Sequence, residues 1–196
     1  YYKNELAAWP EDADADVVAR AHHNVAVAYG SLGDRAMQEQ HYRQAMALSP
    51  DHSLFLRNLA NFLRDNDRRE EATPLYEKAL RSENANRTTV TRYLRNCQHQ
   101  DDLDSALETA AAIIETKATD DQRRLWLAMA RFCLGQERNE EAIKLYQKEF
   151  TVWPKNATDG VLAATHRGLG QAYENGGNDD KAEEHFRHAA NLAPDS

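Results

Sequence analysis

The side chains whose types and spacing could do chemistry are mostly arginines. Arg57, Asn61 and Arg64 recur at intervals of three and four residues, Arg92, Arg95 and His99 do the same, and Arg124 and Arg131 stand seven apart. On an α-helix each set falls on one face. A guanidinium is a planar, permanently charged fork that matches a carboxylate in bidentate fashion, so three such faces suit an acidic or carboxylate-bearing partner. The three predicted helices that carry them hold eight arginines and one acid, Asp65, in a chain of formal net charge -8. The plain alternative is that these arginines are ordinary solvated residues, as charged helix faces usually are.

Other chemistry is weaker. His185 and His188 lie three apart beside Glu184 and could place two metal ligands on one helix face, but no third ligand accompanies them, so no metal or other cofactor is expected. His22 and His166 fall among apolar residues and read as packing groups. There is no glycine-rich phosphate loop, G-x-S-x-G, H-E-x-x-H or CxxC, and the pairs Glu70-Glu71, Glu140-Glu141 and Glu183-Glu184 read as solvated faces. No catalytic residue is proposed, and the chain is expected not to be an enzyme. Cys97 and Cys133 sit inside apolar stripes and read as packing thiols, which points weakly to the cytoplasm. The sequons at Asn86 and Asn156 read as chance.

The elements that must position the arginines are helices. Leu56, Leu59, Ala60 and Leu63 form the i, i+3, i+4, i+7 stripe of an amphipathic helix, where a strand would alternate. Turn formers separate paired segments at Gly33-Asp34, Asn66-Asp67, Asp101-Asp102, Arg138-Asn139 and Gly177-Asn178. Asp67 with Glu70 reads as a capping-box-like helix start. Small residues at Ala60 and Ala72, Ala130 and Ala142, and Gly170 and Ala182 would let the two helices of a pair approach closely.

These pairs recur at about 34 residues. In phase, the fifth tract reads His166, Leu169, Gly170, Tyr173, Ala182, Phe186, Ala189 and Pro194; the fourth reads Trp126, Met129, Ala130, Cys133, Ala142, Tyr146 and Pro154. The first has His22, Val25, Ala26, Tyr29, Tyr42, Ala45 and Pro50, and the second and third follow with Leu56 to Ala79 and Val90 to Ile113. This pattern resembles the tetratricopeptide repeat family, whose unit is a helix-turn-helix. The resemblance implies an all-α, right-handed solenoid of stacked repeats with a concave groove, in which the first helices receive a partner segment.

The resulting units are 19–52, 53–86, 87–120, 123–156 and 163–196, in one continuous solenoid. Residues 1–12 read as a second-helix remnant of a preceding repeat, and 13–18 and 157–162 as extensions of the first helices that follow. Residues 1–52 align without a gap to 145–196, pairing Tyr2 with Tyr146, Glu5 with Glu149, Trp9 with Trp153, Pro10 with Pro154, His22 with His166 and His41 with His185. The array therefore reads as cut open at both ends, which makes a homo-oligomer through the ends an alternative. A further alternative is a substrate-recruiting segment of a larger enzyme.

Several residues depart from the family pattern. Gln38 occupies a usually small place, Leu94 and Ile113 are oversized, Ala110 replaces an aromatic, and Glu149 replaces an alanine with no evident partner. Some members of the family hold a chaperone's terminal carboxylate with lysine, asparagine and arginine on successive units. Here that clamp would fall on Arg57, Asn61, Arg92, Arg124 and Ala128, of which Asn61 matches, Arg57 and Arg124 keep the charge, and Arg92 and Ala128 depart. One unit earlier, Asn58 and Arg92 match but His23, Val27 and Thr88 do not.

A sequence pI near 5.5 argues against nucleic acid. With 41% hydrophobic residues and no apolar run of about 20, no membrane span is expected, and no leader peptide is evident. The partner set is a protein or peptide ligand, acidic in character, held by Arg57, Asn61, Arg64, Arg92, Arg95, Arg124 and Arg131.

Overall fold

The computed structural model describes residues 13–99, 102–152 and 158–194. The expected remnant at 1–12, with Tyr2, Glu5, Trp9 and Pro10, and the Trp153-Pro154 ending lie outside them. The described residues form ten α-helices and no strand: α1 (Ala15–Ser31), α2 (Arg35–Leu48), α3 (Ser53–Asp65), α4 (Arg69–Arg81), α5 (Arg87–Gln98), α6 (Leu103–Glu115), α7 (Thr119–Leu134), α8 (Asn139–Thr151), α9 (Asp159–Asn175) and α10 (Asp179–Leu192). The chain is an all-α protein of the helix-turn-helix solenoid class. It divides into two compact units, one holding residues up to Ala85 with Arg92–Ala106, the other Asn86–Thr91 with the residues from Leu107 onward.

In the first unit α1 packs on α2, α3 on α4, and α2 on α3. The stripe expected on α3 is fully buried: Leu56, Leu59, Ala60 and Leu63 are at most 1% exposed, as are Ala72, Tyr76, Ala79 and Leu80 of α4, on which α3 packs, while Phe55 joins Ala19 of α1 and Ala45 of α2. Gln38 fits its crowded place because Gly30 stands opposite; a Cβ there would lie 2.5 Å from Gln38 Nε2. In the second unit α7 packs on α8, α9 on α10, and α8 on α9, with Trp126, Met129 and Tyr146 inside. Gly170 lets Phe186 close on α9, since a Cβ would meet its ring at 2.6 Å. Cys97 and Cys133 are buried, free thiols, and burial pushes each up to about 11.

One closing hydrogen bond recurs five times among the described residues. The amide of Asp34 reaches Tyr29 O, Arg68 reaches Leu63 O, Asp102 reaches Cys97 O, Arg138 reaches Cys133 O and Asn178 reaches Tyr173 O, at 2.9 to 3.2 Å. In the four closures whose residue just before the donor is described, that residue is left-handed, as a six-to-one closure favours. Gly33 and Gly177 supply it at φ 78° and 75°, and Asp34 and Asn178 then cap the next helix through Met37 N and Lys181 N. The structure corrects the capping reading at Asp67. Asp67 takes the left-handed position itself, at φ 60°, as Glu137 does in its own turn, and α4 starts from Arg68 with no side-chain cap.

A second correction concerns the acids. Helix α7 begins at Thr119 and includes Asp120 and Asp121 in its first turn, so Asp65 is not the single acid of the arginine-bearing helices. The positive end of the helix dipole favours both carboxylates there.

Candidate binding site

Helix α3 presents Arg57, Asn61 and Arg64 on the face opposite its buried stripe, and α5 presents Arg92 and Arg95 in the same unit. Asn61 is the hub. Its Oδ1 accepts from the Tyr76 hydroxyl at 2.7 Å and from Arg92 at 3.1 Å, while Arg64 reaches the same hydroxyl at 3.4 Å. Arg64 also holds Asp65 through Nε and Nη2 at 2.9 and 2.7 Å.

Arg57 is half-buried. Burial and then the charge of Arg92 push its guanidinium below its usual value, opposed by Tyr76. Two like charges are thus held within reach of one another beside a carboxamide, on a surface of helices. An anion placed there would relieve the repulsion and accept from both forks. Burial pushes the Tyr76 hydroxyl up to about 12, so it remains a donor. Arg95 lies exposed on α5.

Arg124 and Arg131 belong to the second unit and are exposed on α7. Arg131 acts electrostatically on Tyr146 of α8, and it bonds that hydroxyl. Of the seven expected site residues, the structure brings Arg57, Asn61, Arg64 and Arg92 into one cluster.

Other polar groups organise in ways the sequence reading missed. Glu149 is fully buried yet partnered: Thr165 Oγ1 donates to it at 2.9 Å and Arg123 approaches at 3.5 Å. Burial pushes its carboxyl up, against the pull of Thr165 and Arg123. His22 and His41 meet Nδ1 to Nδ1 at 2.9 Å, and His166 and His185 repeat this at 3.0 Å. In each pair one ring must donate and the other accept. Tyr29 stacks on His41 and Tyr173 on His185, at interplanar angles of 10° and 5°. Burial first, and then the partner imidazole, pushes His22 and His166 below the usual histidine range. His188 stacks on His166 instead of pairing with His185 for a metal; among the described residues no group of three or more His, Cys, Asp or Glu is placed to hold an ion. The exact 144-residue register between the two halves was the signal that could have found these pairs. No helix among the described residues is long and apolar enough to cross a membrane.

Known proteins bear on the same architecture. The family model described as tetratricopeptide repeat matches residues 121–195, and that described as YpiA-like, C-terminal tetratricopeptide repeats matches 20–85. No curated protein matches. Among solved structures, the nearly identical TPR-like repeats of a putative kinesin light chain from Podosopora anserina share 17% identity at a TM-score of 0.56, covering 92% of this chain and 96% of that one. The MamA 41-end fragment from Desulfovibrio magneticus RS-1 shares 17% at 0.52, covering 91% and 97%. Another MamA crystal structure shares 16% at 0.50, covering 90% and 92%. These likenesses are of fold. With the two family matches falling in separate halves of the chain and the same closing hydrogen bond made five times among the described residues, the chain is a tetratricopeptide repeat protein.

Proposed function

We propose that the chain is a non-catalytic protein-interaction scaffold that binds an acidic or carboxylate-bearing segment of a partner. Arg57, Asn61, Arg64, Arg92 and Arg95 form the contact surface of the first unit, and Arg124 and Arg131 give the second unit its own cationic face. The repeat bounds proposed for this scaffold remain 19–52, 53–86, 87–120, 123–156 and 163–196.

The observation that carries the reading is the gathering of Arg57, Arg64 and Arg92 around Asn61 and Tyr76 in a chain of net charge -8. Folding brings these cations together at a cost that an anionic ligand repays. The family match supports interaction as the activity, since helix-pair repeats expose long faces for partners. Arg92→Glu with Arg95→Glu is the test. The pair of reversals should abolish capture of the natural partner while circular dichroism and the thermal midpoint stay close to those of the parent chain. Capture at the parent level would remove the arginine face from the account.

A further inference from the structure

The two histidine pairs occupy one register. His22 and His41 are 19 residues apart, as are His166 and His185, and the same two places hold Leu56 with Leu75 on α3 and α4, and Trp126 with Leu145 on α7 and α8. Two hairpins thus close on a hydrogen bond between imidazoles where two others carry apolar side chains. The geometry is that of a shared proton and not of a chelate. In both pairs the ring centres lie 5.2 Å apart, which nitrogen gaps of 2.9 and 3.0 Å reach only when each Nδ1 lies on the line between the rings. The lone pair of one nitrogen then points at the N–H of the other. Lone pairs converging on a metal ion across the same gap would draw the ring centres closer.

Such a bond counts protons. In the neutral pair one ring donates from Nδ1 and keeps a lone pair on Nε2, while the other accepts at Nδ1 and carries its proton on Nε2. A first added proton takes the open Nε2 and leaves the bond intact, now charge-assisted. A second has only the accepting Nδ1 to go to, so it sets N–H against N–H and places two like charges side by side. A closed pair therefore holds one added proton, and two separated imidazoles hold two.

The groups around each pair set what a second charge would meet. On α1, His23 is turned away to Asn24 and Asn58, and Tyr29 stacks on His41. On α2, Glu39 and Arg43 pair with each other and reach Arg68 and Glu71. Helix α3, which packs on α2, turns Arg57 and Arg64 toward the Tyr76 cluster. Around the second pair burial comes first; His188 then adds its repulsion on both rings and Lys181 on His185, while Glu184 pulls the other way. Helix α8 lays Phe150 against His166, and its Glu149, bonded to Thr165, takes up its proton with the opposite effect on stability.

We propose that each imidazole pair is an acid-sensitive latch, which holds its own hairpin closed with one added proton and releases α1 from α2, or α9 from α10, with a second. His22, His166 and His185 hold protons less tightly in the folded chain than at the free value of 6.5, so the latch contributes fully above that pH and weakens as pH falls through it. With the closed pair limited to one added proton, the opening constant of either hairpin rises about tenfold or more between pH 6.5 and about pH 5.5. The α3–α4 and α7–α8 hairpins, with no imidazole in these places, stay closed over the same range. The latch is independent of the arginine site.

Hydrogen exchange read by mass spectrometry at about pH 7.5 and about pH 5.5, corrected for the chemical exchange rate, tests this on the whole chain. Protection in α1–α2 and α9–α10 should fall about tenfold or more relative to α3–α4 and α7–α8. His22→Leu/His41→Leu, which matches Leu56 and Leu75 of α3–α4, should abolish the response in α1–α2 and keep it in α9–α10. His41→Gln is the milder variant. Its carboxamide turns over to donate to a neutral His22 or accept from a charged one, so the α1–α2 response should shrink to about threefold or less. Long-range 1H–15N spectra of the parent chain at neutral pH should show one Nδ1–H ring and one Nε2–H ring in each pair. Protection unchanged by acid or lost equally in all four hairpins, an undiminished α1–α2 response in His41→Gln, or two Nε2–H rings in a pair would overturn the proposal.

Discussion

In the first unit the guanidiniums of Arg57, Arg64 and Arg92 gather around a carboxamide and a phenol, whereas in the second the deeply engaged arginine, Arg123, faces the buried carboxylate of Glu149, and Arg124 and Arg131 are exposed. The two arrangements use the same residue type for opposite ends. Arg123 and Glu149 compensate each other within the fold, with Thr165 satisfying the second carboxylate oxygen. Arg57 and Arg92 instead raise each other's electrostatic cost; the neutral Asn61 orients Arg92, whereas Arg64 is paired with Asp65. A cation balanced inside the fold contributes to stability; on the proposed reading, Arg57 and Arg92 serve a ligand instead.

The largest break in this comparison should come from the second unit. Arg123→Met leaves Glu149 buried without its cation, and removing one partner of a buried pair costs about 3 kcal/mol at neutral pH. The sign with pH follows from the carboxyl. Its folded pKa already lies above the 4.5 of the free group, so the folded state holds its proton more tightly than the unfolded one. Stability then falls as pH rises from 4.5 through the folded value and levels off above it. Without Arg123 that value moves higher still. The loss measured by urea unfolding should therefore be greatest at pH 7 and shrink toward pH 4.5; a loss that is the same at both pH values would mean Glu149 is not what Arg123 supports.

Tyr76→Phe should have a smaller effect, about 1 kcal/mol on unfolding, because one hydroxyl is lost from a ring that stays packed. It should also weaken binding of an acidic peptide, since Asn61 and Arg64 lose the group that orients them. A stability loss with unchanged binding would place Tyr76 in the core alone.

Much of this was legible in the chain. The period fixed the helix pairs, and the glycine and asparagine at Gly33, Gly177 and Asn178 announced the turn that closes them. At Asn66-Asp67 and Arg138-Asn139 the turn was legible but not which residue takes the left-handed position, since Asp67 reads equally as a helix cap and Glu137 carries no turn signal of its own. Arg57, Asn61 and Arg64 could be placed on one face from spacing. Their hub could not, since Tyr76 reads as a core aromatic and only the folded hairpin shows its hydroxyl emerging at Asn61. Glu149 looked partnerless because Thr165 and Arg123 are 16 and 26 residues away, on α9 and α7. His22 and His166 looked like packing groups because a ring in a stripe shows no sign of the second imidazole it meets on the next helix.

On the proposed reading the Arg57 and Arg92 pair is the stronger anion site, and the exposed Arg124 and Arg131 form a weaker cationic face. Fluorescence anisotropy of a labelled hexaglutamate peptide tests it directly, comparing the parent chain with Arg57→Glu/Arg92→Glu and with Arg124→Glu/Arg131→Glu, which change net charge equally. The first variant is expected to lose at least about tenfold in affinity, ~1.4 kcal/mol or more, and the second no more than about threefold. Equal losses would show only a response to net charge, and a greater loss in the second variant would contradict the account.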